Sequence, residues 1–166
     1  MSAFFSNPDR LNQLEHEARS WIGTPFAAHA MVKGAGADCV HLVAGVYIAR
    51  GALKSFDPGT YSLDEGSHLK VSKIEQWFNG RPEFALVGRG TPCAPLAGDT
   101  LIFNLARVGH HVGLMLAGGD FLHVFAERGR FVLISNLRES FYARRITAIY
   151  RPLDLSTLNH QPSTSQ

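Results

Sequence analysis

Cys39, His111 and His123 are the residues whose types and spacing suit nucleophilic catalysis. A cysteine nucleophile needs a base that accepts its proton, usually a histidine, and a third group that orients this histidine. Cys39 lies where a loop of small residues, 34–37, runs into apolar residues at helical spacing. Because backbone N–H groups and the helix dipole favour a thiolate at a helix start, we expect Cys39 to be reactive if a base reaches it.

The two histidines lie on consecutive predicted strands. Their separation, 123 − 111 = 12, is even, so both can face the same side of an antiparallel pair. They stand directly opposite each other if the turn is centred near Ala117. A tight turn made only of Gly118-Gly119 would instead place His123 on the face of Leu114. The turn geometry therefore tests whether His111 and His123 form a pair.

Helical spacing dominates the first half of the chain. Asn7 before Pro8 predicts a helix start, and the apolar stripe extends that helix over about residues 8–21. A second helix should run from Cys39 to a C-terminal cap at Gly51. A third is predicted over 67–79. We expect loops at residues 26–37, 53–66 and 85–98, which are rich in small residues, Gly or Pro.

From Asp99 onward the pattern becomes extended. About five antiparallel strands are predicted, over 100–103, 110–116, 121–125, 131–134 and 146–150. Helices followed by strands indicate the α+β class. We expect one domain over residues 1–153 and a flexible tail over 154–166, where the apolar periodicity ends.

Composition excludes several classes of protein. The chain has 166 residues, is 45% hydrophobic and carries a formal net charge of +2 without a basic run, which argues against nucleic acid as a partner. It has neither an apolar run of membrane-spanning length nor an N-terminal Sec signal, so we expect synthesis in the cytoplasm. Cys39 and Cys93 form neither a disulfide framework nor the paired spacing of a zinc site, and we expect two thiols with different roles.

Five motifs occur in an order and spacing that resemble the NlpC-type bacterial cell-wall cysteine peptidases, which are compact papain-like enzymes. The resemblance extends from about residue 18 to residue 151. Within the family, the chain is similar in particular to the phage tail-associated branch. The motifs are Gly-Thr-Pro-Phe at 23–26, Asp-Cys-Val-His-Leu-Val at 38–43, Ala-Gly-Asp-Thr-Leu-Ile-Phe at 97–103, His-Val-Gly-Leu at 111–114 and Phe-Leu-His at 121–123.

The resemblance implies a papain-like fold in which helices pack on the sheet. It implies that Cys39 is the nucleophile, His111 the general base and acid, and His123 the polar residue that orients His111. Such chemistry requires no metal or cofactor. The implied substrate is a cell-wall stem peptide, with phage tail or other delivery proteins as partners and delivery by a virion, a secretion device or lysis.

Two departures from the family pattern concern substrate recognition. Phe26 stands where the family usually has Tyr, and Val40-His41 stands where it usually has Ser-Gly. In the family the Tyr, the Asp before the cysteine and the Ser hold the free amino end of the stem peptide, and only Asp38 is kept here. Asp38, Phe26 and Val40 are the expected substrate-binding positions, with weaker recognition of an ammonium group because two hydroxyls are lost.

Other interpretations stay open. Asp38 suits a helix N-cap as well as a binding group. His41 is turned roughly 200 degrees from Cys39 around the helix and is expected to point elsewhere. The chain can also be a structural or phage tail assembly protein that keeps the fold without activity on the wall. A third hypothesis is a thiol amidase or acyltransferase acting on a different amide or thioester.

Overall fold

The computed structural model of the chain describes residues 1–59, 73–90, 94–105, 109–125 and 131–156. The helices are α1 (Pro8–Arg19), α2 (Cys39–Ala49), α3 (Lys73–Asn79) and α4 (Ser140–Ala143). The strands are β1 (Met31–Val32), β2 (Gly36–Ala37), β3 (Phe84–Gly88), β4 (Thr100–Leu105), β5 (Gly109–Met115), β6 (Asp120–His123), β7 (Leu133–Asn136) and β8 (Ile146–Pro152). Among the described residues, no helix combines the length and apolar character needed to cross a membrane.

Helix α1 begins where the sequence predicts. Asn7 Oδ1 accepts hydrogen bonds from the backbone N–H groups of Asp9 and Arg10 at 2.8 and 3.2 Å. Pro8 occupies the first helical position, where its missing N–H costs no hydrogen bond. The helix ends at Arg19, two residues before the predicted end.

Helix α2 lies at the centre of the molecule. All residues from 41 to 47 are buried, as expected of a helix that is apolar on every side. The hydroxyl of Tyr47 donates to the carbonyl oxygen of Gly98 at 2.7 Å, which ties the helix to the residues just before β4. After the helix, Gly51 has a φ of 74°, the left-handed conformation predicted for its C-terminal cap.

The third predicted helix is present in its second half as α3, and residues 67–72 lie outside the described residues. The short helix α4 was not predicted. It lies in the polar connection between β7 and β8, and its four residues are too few to show the helical spacing of apolar residues in the sequence.

The main sheet has six antiparallel strands in the order β3-β8-β4-β5-β6-β7. The five predicted strands correspond to β4 to β8. The prediction of a loop over 85–98 is wrong at its start, because β3 pairs with β8 at the edge of the sheet. The glycines and prolines that follow this short apolar run obscure it in the sequence.

A two-stranded hairpin lies within the predicted loop 26–37. Its strands β1 and β2 pair Met31 with Ala37, and Ala37 then donates its N–H to the carbonyl oxygen of Pro25 at 3.0 Å. Ala37 also accepts from the N–H of Ala27 at 3.1 Å. Both backbone polar groups of Ala37 are therefore hydrogen-bonded, which fixes the chain directly before Asp38 and Cys39.

The sheet has an apolar cluster on each face. Helix α2 packs against β5, and the cluster on this side includes Val112 and Leu114. The opposite cluster includes Phe103, Met115 and Phe121. This arrangement of helices against an antiparallel sheet is the predicted α+β class.

The start of the expected tail 154–166 is held to the domain. Asp154 pairs with Arg10 at 2.6 Å and donates its N–H to the carbonyl oxygen of Ser2 at 2.9 Å. Residues 157–166 lie outside the described residues.

Gly98→Ala should destabilise the fold much more than Gly118→Ala. Both glycines have positive φ, 92° and 70°, so each alanine costs about 1 kcal/mol in backbone strain. Only at Gly98 would the new Cβ also meet the buried ring of Phe5, 2.5 Å from Cδ2. Overpacking of this kind adds about 1–3 kcal/mol. Urea unfolding measures both variants, and equal losses would contradict this account of packing at Gly98.

Candidate active site

Cys39 is the first residue of α2 and a free, partly buried thiol. Burial raises its pKa to about 12, and the charge of adjacent Asp38 adds to the rise. The backbone N–H groups of Val112, Val40 and Cys39 itself lie near the sulfur and oppose part of this rise in pKa. The expected preference for thiolate at the helix start is therefore outweighed by desolvation, and the resting group is a neutral thiol.

Helix α2 packs against β5, where His111 directly precedes Val112, the residue whose backbone N–H lowers the pKa of Cys39. The ring of His111 is 3% exposed, and its Nε2 lies 3.1 Å from Nδ1 of His123. This hydrogen bond does not use Nδ1 of His111. Among the hydrogen bonds of the described residues, none joins Cys39 Sγ to the His111 ring. Catalytic hydrogen bonds are often longer before substrate binds.

The hairpin register decides how the histidines meet. Leu114 pairs with Leu122 and Met115 with Phe121, so the turn is centred on Gly118 rather than on Ala117. His111 and His123 share a face, as their even separation predicts, but they are diagonal neighbours instead of directly opposite. Long side chains can still meet across this diagonal.

Gly113 lies on this face between the two histidines. Because it has no side chain, the aromatic rings of Phe103 and Phe121 have room to pack next to the histidines. A Cβ at this position would lie 2.9 Å from Cδ2 of Phe121 and 3.2 Å from Cε2 of Phe103. Both aromatic rings approach the histidines, with Phe103 5.9 Å from His111 and Phe121 4.7 Å from His123 between centroids. The glycine in the His-Val-Gly-Leu motif thus has a packing role.

Aromatic side chains enclose the histidine pair and exclude water. Phe125 stacks on His111 with a centroid distance of 4.3 Å and lies edge-on to His123. Burial, with a smaller contribution from His123, holds the pKa of His111 well below its usual range. Burial also lowers the pKa of His123 to about 4. Both rings are neutral at pH 7, so His111 can act as a base there.

Ser135 on β7 extends the histidine pair, and sequence reasoning missed it. Its Oγ lies 2.9 Å from Nε2 of His123. The contact depends on the pairing of β6 with β7, where Phe121 pairs with Ser135 and His123 with Leu133. A serine in a short strand carries no sequence signal of that long-range register.

Asp38 is fully buried and serves as the N-cap of α2. Its Oδ1 accepts from the N–H groups of Val40 and His41 at 3.1 and 2.9 Å, and its Oδ2 accepts from the N–H of His29 at 2.8 Å. The ring of His41 adds Nδ1 at 2.9 and 3.0 Å from the two oxygens. The sequence predicts that His41 points elsewhere, but its ring contacts the carboxylate of Asp38, next to the nucleophile. The substrate-binding role of Asp38 stays a prediction.

Val40 and Phe26, the other expected binding positions, are partly buried. Val40 borders an open apolar pocket that is also lined by Phe56, Ile74 and Trp77. Phe26 forms a backbone bridge with Ala37 and packs at the margin of the apolar cluster between α2 and the sheet. Their roles also stay predictions. Cys93 and the side chain of His110 lie outside the described residues.

No protein-family model matches the sequence, and neither does any curated protein sequence. Solved structures do match. A Staphylococcus aureus protein described as similar to a lipoprotein of the NLP/P60 family aligns with a TM-score of 0.60 and 18% identity, covering 93% of this chain and 45% of that one. An NlpC/P60 family protein from Bacillus cereus aligns with a TM-score of 0.54 and 19% identity, covering 87% and 40%.

The peptidoglycan hydrolase RipB from Mycobacterium tuberculosis aligns with a TM-score of 0.54 and 19% identity, covering 88% of this chain and 66% of that one. This chain therefore spans between 40% and 66% of the length of these three structures. At such identities the likeness concerns the fold. The chain adopts the papain-like fold of NlpC/P60 domains.

Proposed function

We propose that this chain is a cysteine peptidase that hydrolyses amide bonds in bacterial cell-wall peptides, with Cys39 as the nucleophile. The observation that carries the proposal is the 3.1 Å hydrogen bond between His111 and His123, with His111 next to Val112, whose backbone N–H lies near the Cys39 sulfur. The order Cys-His-His on this fold supports the same chemistry. The description of RipB as a peptidoglycan hydrolase supports the choice of substrate.

The reaction starts from a neutral pair because burial disfavours both thiolate and imidazolium. His111 donates its Nε2–H to Nδ1 of His123, which leaves the Nδ1 lone pair of His111 for the thiol proton. As Sγ of Cys39 bonds to the scissile carbonyl carbon, this proton passes to His111. The carbonyl π pair moves to oxygen and forms a tetrahedral oxyanion.

The helix start can stabilise this oxyanion through one backbone group. Asp38 already accepts the N–H groups of Val40 and His41, so the N–H of Cys39 is the donor assigned to the oxyanion. His111 then returns its proton to the leaving nitrogen as the C–N bond breaks. Water, deprotonated by His111, attacks the resulting thioester and releases the acid and the thiol.

The surroundings of the thiol favour a substrate recognised through apolar groups. Asp38 makes several hydrogen bonds within the chain, including those to His41, and Phe26 and Val40 add no hydroxyl. We therefore propose that cleavage does not depend on a free amino end of the stem peptide. Delivery to the wall by phage tail proteins or another device belongs to the same proposal.

Cys39→Ala should lower the release of peptide fragments from purified cell-wall sacculi at least about a thousandfold, because the nucleophile is lost. Cys93→Ala is the matched control and should keep the wild-type rate. Mass spectrometry of the released fragments gives both the rate and the scissile bond. Undiminished release by Cys39→Ala would contradict the proposal, and turnover of other amides but not of wall peptides would favour the hypothesis of a different amide substrate.

The raised pKa of Cys39 favours a second candidate, a structural or assembly role on the same fold. Buried cysteines with neutral thiols commonly act as small apolar residues. The two candidates differ in whether His111 activates the thiol.

Iodoacetamide labelling in a Cys93→Ala background tests this difference. Reaction of the free thiolate alone would make the Cys39 rate rise about tenfold per pH unit from pH 7 to pH 10, because its pKa is about 12, whereas proton transfer to His111 adds a rate that does not change over this range. At pH 7.5, His111→Asn should slow labelling if His111 is the base, whereas an unchanged rate would favour the structural candidate.

A further inference from the structure

The histidine pair continues into a chain of hydroxyl groups on the neighbouring elements. Nε2 of His123 lies 2.9 Å from Oγ of Ser135, and Ser135 in turn donates to the hydroxyl of Tyr142 on α4 at 3.4 Å. Ser135 is partly buried and lies on the same sheet face as both histidines. Three side chains from β6, β7 and α4 therefore follow His111 in one line of hydrogen bonds.

The direction of this line follows from the donors and acceptors available. Ser135 has one hydroxyl proton, and when it points to Tyr142 the serine oxygen faces His123 as an acceptor. Nε2 of His123 must then carry the proton, which leaves Nδ1 as an acceptor. Nδ1 of His123 faces Nε2 of His111, so Nε2 of His111 must also carry its proton.

We propose that Ser135 is a positioning residue that fixes the tautomers of His123 and His111. With Ser135 in place, the lone pair of His111 lies on Nδ1, the nitrogen that the proposed mechanism assigns to the Cys39 proton. Without it, His123 is free to carry its proton on Nδ1, and His111 would have to reverse and lose its basic Nδ1. The catalytic importance of Ser135 rests on the proposed function, but the tautomer assignment does not.

Tyr142 supports this assignment through packing as well as through its hydroxyl. Its ring lies 5.7 Å from His123 and 5.0 Å from Phe121 between centroids, so α4 covers the outer side of the pair. The Ser135–Tyr142 contact is longer than the Ser135–His123 contact. Because the hydroxyl of Tyr142 is what accepts the Ser135 proton, Tyr142→Phe should also admit the reversed tautomers, in which Ser135 donates to Nε2 of His123.

Nitrogen-15 NMR of the histidine rings tests the assignment directly, without substrate. Wild-type protein at pH 7 should show protonated Nε2 and unprotonated Nδ1 at both His111 and His123. Ser135→Ala should introduce the Nδ1–H form of His123, and Ser135→Thr, which keeps a hydroxyl on a strand position, should restore the wild-type spectrum. Ser140→Ala, at an exposed serine, is the matched control.

Kinetics on wall fragments give the second readout. Ser135→Ala should lower kcat about ten- to hundredfold with little change in KM, the range expected when a buried donor loses its partner. Ser135→Thr should recover most of the loss. An Nδ1–H form of His123 in the wild type, or an unchanged spectrum in Ser135→Ala, would overturn the inference. If wild-type protein has the assigned tautomers but cleaves no wall fragment, the proposed function fails while the tautomer assignment stands.

Discussion

The hydrogen bond between His111 and His123 is the interaction on which the candidate site depends. It requires an even separation along the chain, a turn centred on Gly118 and the absence of a side chain at Gly113. The aromatic rings around the pair keep it dry, which strengthens the hydrogen bond and removes the competing hydration of each ring. The same enclosure makes both histidines neutral, so one structural feature sets the geometry and the protonation state together.

Burial also determines how the thiol must react. The lowering of the Cys39 pKa by three nearby backbone N–H groups is outweighed by desolvation and by the charge of Asp38. A preformed ion pair between thiolate and imidazolium would place two charges in a poorly hydrated site, which is costly unless their geometry is excellent. Transfer of the proton during attack avoids that cost at rest. Asp38 caps the N-terminus of α2, and its carboxylate also contacts the ring of His41.

The sequence predicted those features that arise from local patterns. The cap at Asn7, the start of α2 at Cys39 and the shared face of His111 and His123 each follow from spacing over a few residues. Features that depend on distant pairing were missed. Strand β3 is defined by its pairing with β8, and Ser135 reaches His123 only through the register of two strands. The pKa of Cys39 also depends on packing around the helix start, which no local motif encodes.

Covalent trapping of the acyl-enzyme tests the central claim most directly. Wall stem peptides would be mixed with the protein, quenched with acid during turnover and analysed by intact-mass spectrometry followed by peptide mapping. The account predicts a mass increase equal to the acyl half of the substrate, located on Cys39 and removed by hydroxylamine, as expected of a thioester. Turnover without any adduct on Cys39, or with the acyl group on another residue, would contradict it.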